Sequence, residues 1–245
     1  MKQKPPVSKL RATYIAKLVG RCVILLLALL IWRFAPKHLE VLEGMNFFHS
    51  FSPLHLLWAI WLVDMLYQIF PLKGHLPLGS VKHFRQHFKP LREKMNRAAL
   101  TEYIRTTTKA AYKVMLVWIA LIAVIAGLYF TGIIDRNVMF LLSVVFYVCD
   151  LICVLIWCPF RLMMKNRCCT TCRIFNWDHL MMFSPIIFIG GFYAISLVVM
   201  AVLCWLVWEA AILIHPERFW PGANSALQCA NCTDKLCTQY CQKLR

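Results

Sequence analysis

Five long apolar runs divide this chain, at about residues 18–35, 54–71, 113–133, 138–158 and 184–214. Polar residues or prolines bound each run. A helix needs about 20 mostly apolar residues to cross the hydrocarbon core of a bilayer. The pattern therefore predicts an all-α fold, a polytopic integral membrane helical bundle of about five transmembrane helices.

The polar sequence between the runs predicts the organisation of the whole chain. The expected segments are a basic N-terminus (1–17), a two-span hairpin (18–71), a basic loop (72–112), a second two-span hairpin (113–160), a cysteine loop (161–183), a long fifth helix (184–214) and a Cys-rich tail (215–245).

The fifth run is longer than one crossing requires. As a single helix, 184–214 would extend about 46 Å, against about 30 Å for the hydrocarbon core. A single tilted helix is the first interpretation, and it places the cysteine loop and the Cys-rich tail on opposite faces of the membrane. The alternative is a re-entrant hairpin broken near Gly190 and Gly191, which would bring the two cysteine segments together.

Composition supports a membrane protein. Apolar residues make up 60% of the chain, charged residues 16%, and the mean hydropathy is +0.62. Soluble domains average roughly 45–50% apolar and 25% charged residues. No part of the sequence predicts a separate soluble catalytic domain.

Basic residues are concentrated in three segments. Six Lys and Arg residues lie in 1–21, ten in 72–113 and four in 161–173, out of 27 in the chain. Cytoplasmic loops of membrane proteins carry such an excess. The distribution predicts a cell-membrane protein whose N-terminus is cytoplasmic, and four crossings place all three segments on that side.

Residues 80–113 combine this charge with apolar residues at helical spacing. The pattern predicts an amphipathic helix, ended by Pro90, that lies on the anionic cytoplasmic leaflet. Residues 91–113 can continue as a helix that enters the third apolar run. Binding of nucleic acid is not predicted, because basic charge without a reading surface or stacking platform is a weak signal.

The tail carries four closely spaced cysteines, Cys229, Cys232, Cys237 and Cys241. Such a set can bind an iron–sulfur cluster or zinc without further ligands. The spacing resembles half of a bacterial ferredoxin motif, but its middle gap is longer and Gln242 stands where that motif has proline. In an oxidising compartment the same cysteines would form disulfides, in one of three pairings.

A second candidate metal site is formed by Cys168, Cys169, Cys172 and His179. Three thiols and an imidazole can make a Cys₃His zinc site. The neighbouring Arg167 and Arg173 favour the thiolate form. Reduced thiols without a metal are the alternative.

Three acidic residues fall within apolar runs: Asp64, Asp150 and Glu209. Ionisable groups inside a membrane are rare and usually have a partner or a function. Arg21 is a candidate partner for the two aspartates. Proton relay, ion coupling and an interhelical hydrogen bond that only fixes packing are the open interpretations.

The sequence leads to one main hypothesis and two alternatives. The first is a multi-pass protein with a cysteine-ligated iron–sulfur cluster or zinc, acting as an electron-transfer subunit with a membrane redox partner. The second is a component of a small-solute or ion transporter that uses Asp64 and Asp150. The third is a membrane scaffold that recruits a soluble partner. No catalytic motif supports an enzyme.

Overall fold

The computed structural model of the protein describes residues 9–70, 80–91, 95–165, 171–232 and 236. Seven α-helices occur in this part: α1 (Lys9–Phe34), α2 (Leu54–Ile69), α3 (Arg97–Phe130), α4 (Arg136–Leu155), α5 (Pro159–Met164), α6 (Asp178–Phe183) and α7 (Gly191–Ile214). The rest of it forms short 3-10 turns and loops, and a single isolated bridge joins Pro90 to Asn224. The predicted all-α class is confirmed.

Four of these helices, α1, α3, α4 and α7, are long and apolar enough to span a membrane. Helix α2 has 16 residues, which corresponds to about 24 Å and is short for a crossing. α4 is the most buried of the four long helices, whereas α1, α3 and α7 expose many aliphatic side chains. The predicted multi-pass membrane class agrees with this arrangement.

Local sequence explains where two of the long helices, α3 and α4, begin. The Asn96 side chain caps α3 by accepting a hydrogen bond from the Ala99 amide at 3.2 Å. Asp135 caps α4 by accepting from the Val138 amide at 2.8 Å. Both side chains bind amides that a helix leaves without an internal partner.

The bundle has two ends. The loop end carries residues 36–52, and the tail end carries residues 80–91 and 215–232. At the loop end, Arg136 of α4 pairs with Glu43, and the Phe192 amide donates to the Gly44 carbonyl at 2.8 Å. At the tail end, the ring of Phe84 lies 5.0 Å from that of Trp208, near the end of α7. Helices α1 and α3 therefore run towards the loop end, and α2 and α4 run back.

The prediction of one helix over 184–214 is wrong. Helix α7 begins at Gly191, after a 3-10 turn at Pro185–Phe188 and the separate helix α6. Gly190 and Gly191 have φ values of 70° and 76°, a region that right-handed helices exclude and glycine adopts readily. Pro185 also has no amide hydrogen with which to continue α6.

Residues 173–189, called the broken arm, run antiparallel to α7. Arg173 and Trp177, at the start of this arm, both donate to Glu209 near the end of α7. The arm ends at Gly190, which directly precedes the first residue of α7. The arrangement corresponds to the alternative of a hairpin broken near Gly190 and Gly191. Its first limb, the broken arm, begins at residue 173 and not at residue 184. The chain after α7 consequently returns to the tail end, where the cysteine loop also lies.

The predicted amphipathic helix before Pro90 is also absent. Residues 80–87 form two 3-10 turns, Ser80–His83 and Arg85–His87. Their backbone bonds to the tail instead: Asn224 donates to the Lys82 carbonyl at 3.1 Å, and the Ser225 amide donates to the Lys89 carbonyl at 2.9 Å. Binding of this loop to the anionic leaflet stays a prediction.

Candidate functional site

An ion pair joins α1 to α4 inside the bundle. The Arg21 guanidinium donates to the Asp150 carboxylate at 2.7 Å and to the Tyr147 carbonyl at 2.6 Å. It also stacks over the Tyr147 ring, 3.9 Å from the ring centroid. Only 8% of the Arg21 side chain and 13% of the Asp150 side chain are exposed. The predicted partnership of Arg21 with an intramembrane aspartate is confirmed for Asp150.

A second group of polar side chains faces this pair from the broken arm and α2. The Asp178 carboxylate accepts hydrogen bonds from the Gln68 amide at 3.3 Å and from the His179 backbone amide at 2.7 Å. The His179 ring nitrogen Nδ1 lies 2.9 Å from the same carboxylate oxygen. His179, predicted as a zinc ligand, is thus buried next to an aspartate.

Asp64 of α2 completes the cluster. It interacts electrostatically with Arg21 and His179. Among the described residues, its carboxylate makes no hydrogen bond. Four segments therefore contribute to what we call the acidic cluster: Arg21, Asp64, Asp150, Asp178 and His179. The cluster contains three carboxyl groups, one guanidinium and one imidazole. Its acidic groups therefore outnumber its one permanently charged cation, Arg21.

A cavity of about 340 Å³ adjoins the acidic cluster. Both Asp150 and Asp178 line it. It extends along α4 to Cys158 and Arg161 at the tail end, and it is otherwise lined by apolar side chains and by thiols. This inner cavity gives the carboxylates a route towards the tail end.

Glu209, the third predicted intramembrane acid, lies apart from the acidic cluster. It accepts hydrogen bonds from Arg173 at 2.6 Å and from the Trp177 indole at 3.0 Å. Arg173 also donates to the Thr108 hydroxyl on α3. Since these bonds tie α3 and the broken arm to α7, Glu209 has a packing role at the tail end.

The predicted cysteine ligands are only partly within the described residues. Cys168, Cys169, Cys237 and Cys241 lie outside them. Cys229 of the tail and Thr171, next to Cys172, line one cavity of about 590 Å³, which we call the tail-end cavity. Leu236 packs in the same apolar cluster as Cys172. The two cysteine segments therefore meet at one end of the bundle.

No group of three or more His, Cys, Asp or Glu side chains is placed to hold a metal ion within the described ranges. Cys232 lies 3.5 Å from the Lys82 ammonium, and Cys172 lines the inner cavity with Asp178. His179 faces the acidic cluster and not the tail. The four-thiol and Cys₃His sites stay predictions.

Sequence reasoning missed Asp178 and Gln68 as members of the site. The second apolar run is long enough to make Asp64 conspicuous, but Asp178 lies in a stretch interrupted by Pro185, where the sequence predicts a loop. The feature of the sequence that could have indicated Asp178 is the Asp178–His179 pair directly before an apolar segment. Only the fold of the broken arm places that pair inside the bundle.

The chain matches no known protein family, and no curated protein or solved structure matches it. Function must therefore be argued from the geometry of the chain itself.

Proposed function

We propose that this multi-pass membrane protein moves protons or a small monovalent cation through its helix bundle, with Asp64, Asp150 and Asp178 as the groups that exchange the charge. The observation that carries the proposal is that Asp150 pairs with Arg21 and Asp178 with His179 next to one open cavity. Asp64 interacts electrostatically with both Arg21 and His179. This develops the transporter alternative.

Placing these charges inside a bilayer is costly. An acid at the bilayer centre costs about 2.5–3.5 kcal/mol on insertion scales. One arginine and one hydrogen-bonded glutamine would be enough to fix helix packing. Three aspartates and a histidine exceed that need, and the excess of acid favours the uptake of a proton or a cation.

The broken arm supports the same function. Transporters commonly place their sites where transmembrane helices are interrupted, because the interruption frees backbone groups and allows movement. Here α6 carries Asp178 and His179 and ends at Phe183, and a 3-10 turn and Gly190 follow. Rotation of α6 about this break would carry Asp178 towards or away from Asp150.

The proposal includes a topology. The start of α1 and the described part of the tail after α7 lie on the cytoplasmic side of the cell membrane, with six traverses between them that include α2 and the broken arm. Three observations support it: the alternating directions of the helices, the position of loop 80–91 at the tail end, and the excess of Lys and Arg in the segments of that end.

A flux assay tests transport. The purified protein is placed in liposomes, and proton, Na⁺ and K⁺ movement is followed with ion-sensitive dyes under an imposed gradient. We expect flux of one of these ions with the wild type, and a loss of at least tenfold with Asp64→Asn. This variant should fold, since the Asp64 carboxylate makes no hydrogen bond within the described residues.

Glu43→Gln is the control, because it removes a half-exposed acid at the loop end. It should leave the flux unchanged. Wild-type flux no greater than that of empty liposomes would reject the proposal, as would full activity of Asp64→Asn.

A cysteine-ligated metal is the second proposal, with iron–sulfur electron transfer to a membrane redox partner or structural zinc as its roles. The meeting of Cys229 with Thr171 at the tail-end cavity, and of Leu236 with Cys172, supports it. Donors from both segments could then complete one site.

Metal content and visible absorbance after anaerobic purification test this second proposal. We expect about one zinc ion or one cluster per chain, lost in Cys229→Ser combined with Cys232→Ser. Cys22→Ser is the control, because Cys22 is an exposed cysteine of α1. A folded wild-type protein without zinc or iron would contradict the proposal.

A further inference from the structure

The inner cavity is rich in sulfur. Of the 17 described residues that line it, six carry a sulfur atom: Cys149, Cys153, Cys158, Cys172, Met181 and Met182. The whole chain contains 12 Cys and 11 Met among 245 residues, about one residue in eleven, against about one in three at the cavity. This concentration favours a ligand that sulfur recognises.

The sulfur atoms come from two sides of the cavity. Cys149 and Cys153 are four residues apart on α4, so they share a face of that helix and lie about 6 Å apart along its axis. Cys158 follows at the tail end, where α5 begins. Met181 lines the same cavity from α6 of the broken arm. A ligand in the cavity therefore meets thiols on one wall and a thioether on the other.

Two of these side chains are open to a ligand at the deeper end of the cavity. Cys149 is a free thiol, and both Cys149 and Met181 are partly exposed. In contrast, Cys172 and Met182 are only 6% and 2% exposed and serve as walls. Cys149 and Met181 are therefore the better candidates for direct contact.

The cavity is poor in the oxygen ligands that hard metal ions need. No hydroxyl or amide side chain is among its described lining residues. Its two carboxylates are engaged, Asp150 with Arg21 and Asp178 with His179. Since Ca²⁺ takes about 6–8 oxygen ligands, the lining does not suit a hard divalent cation.

Zinc is also a poor match, because it takes about four ligands. Within the described ranges, no group of three or more His, Cys, Asp or Glu side chains is placed to hold a metal ion. Thiolate and thioether ligands select Cu⁺, and soft monovalent cations are bound by as few as two sulfur atoms.

Charge balance favours the same class of ion. A metal cation binds the thiolate form of cysteine, so binding releases the thiol proton. At Cys149 the S–H bond breaks, a sulfur–metal bond forms, and the proton leaves to solution without transfer of an electron. One positive charge replaces another, so the cavity gains no net charge. A divalent ion would add one, which is costly in an apolar environment.

We propose that the inner cavity binds a soft monovalent metal cation of the Cu⁺ class, held between the Cys149 thiolate and the Met181 thioether. Cys158 and Cys153 lie along the path of the ion from the tail end to this site. The site follows from the sulfur lining alone, and it stands whether or not the acidic cluster moves protons.

Titration with Ag⁺, which shares the soft chemistry of Cu⁺ and is stable in air, tests this proposal. The full-length protein is kept in detergent and chloride-free nitrate buffer, with serine replacing the thiols outside the cavity at Cys22, Cys168, Cys169, Cys229, Cys232, Cys237 and Cys241. Calorimetry gives the affinity, and a pH indicator gives the protons released. We expect about one tightly bound Ag⁺ per chain and about one proton released for each ion.

Cys149→Ser and Met181→Leu should each weaken the affinity for Ag⁺ at least tenfold. Both substitutions nearly conserve volume, and circular dichroism checks that each variant keeps its helix content. Cys204→Ser and Met139→Leu are the matched controls, because they change a buried thiol and a buried thioether that do not line the cavity. Both should bind Ag⁺ as the parent protein does.

Three results would overturn the proposal: no tight binding of Ag⁺ by the folded parent protein, binding without proton release, or equal affinity in the parent protein, Cys149→Ser and Met181→Leu. Competition by an equal concentration of Ca²⁺ would also overturn it. The titration needs no membrane gradient, so an absence of ion flux in liposomes counts against transport alone.

Discussion

Gly191, the first residue of α7, lies against the backbone of residues 42–44. A Cβ atom at this position would stand 2.7 Å from the Leu42 carbonyl oxygen and 2.9 Å from the Gly44 nitrogen. Neither atom belongs to a flexible side chain that could move aside. The contact fixes the point where the broken arm turns back into α7.

Gly191→Ala should therefore destabilise the protein by about 3 kcal/mol or more, since it combines this clash with the strain of a positive φ. Gly190→Ala separates the two effects: Gly190 has φ 70° but nothing within 4 Å of its Cβ position, so about 1–3 kcal/mol is expected. Gly127→Ala, in the open face of α3, should be neutral or stabilising. Chemical unfolding in detergent measures all three. Equal losses at Gly190 and Gly191 would contradict the close approach.

Removing one partner of the Arg21–Asp150 pair should be costly. Asp150→Leu leaves a buried guanidinium without its carboxylate, and we expect a loss of about 3–5 kcal/mol. The double variant Arg21→Met with Asp150→Leu should recover much of it, because neither charge is then buried alone. The control is Arg136→Ala, which breaks the half-exposed pair with Glu43 and should cost about 1 kcal/mol or less. The measurement is the midpoint of chemical unfolding for the wild type, the single variant Asp150→Leu, the double variant and the control. A double variant no more stable than Asp150→Leu would contradict the expectation.

Asn224 joins the tail to loop 80–91. Its fully buried side chain bonds to the backbone of Lys82, Lys89, Arg218 and Ala226. Asn224→Ala should cost about 2–4 kcal/mol, at roughly 1 kcal/mol for each lost bond, and should expose the tail to protease. Asn231→Ala, which removes only exposed bonds, is the control. Identical digestion rates for the two variants would argue against this role.

The two ends of the bundle should differ in access from outside the cell. Phe51, at the loop end, is 92% exposed, and Cys229 is an exposed residue of the tail. In a background with the other cysteines replaced, Phe51→Cys should react with an impermeant thiol reagent on intact cells. Cys229 should react only after permeabilisation. Labelling of both positions on intact cells would place the tail outside and contradict the hairpin.

Acid should weaken the tail end through His83. Burial lowers its pKa to about 3, so between about pH 6.5 and pH 3 the unfolded chain binds a proton that the folded protein does not. The stability contributed by this group is complete above pH 6.5 and falls as the pH decreases. Between pH 7 and pH 5 we expect a loss of about 2 kcal/mol.

His83→Phe should remove this pH dependence, because phenylalanine can keep the stacking on Phe219, 4.6 Å away, without titrating. His87→Phe, in the same loop, serves as the control and should retain it. Unfolding midpoints at the two pH values provide the measurement. An unchanged pH dependence in His83→Phe would show that other groups cause it.

Two parts of the site illustrate the limits of prediction from sequence. Asp64 and Asp150 were found because a charge within a long apolar run is costly and therefore conspicuous. Asp178 was missed because the broken arm has no uninterrupted run of about 20 apolar residues. The cysteine segments were identified by spacing, but spacing does not say which side of a membrane each occupies.

The sequence alone determined the helical membrane class and most of the long helices, because these depend on local hydropathy. Tertiary structure decided the rest. Two glycines with positive φ turn the fifth run into a hairpin, which brings the tail to the same end as the basic loop. That turn places Asp178 inside the acidic cluster and brings together the walls of the tail-end cavity. These outcomes depend on contacts between residues more than a hundred positions apart in the chain, such as Arg21 with Asp150 and Lys82 with Asn224, and no local pattern encodes them.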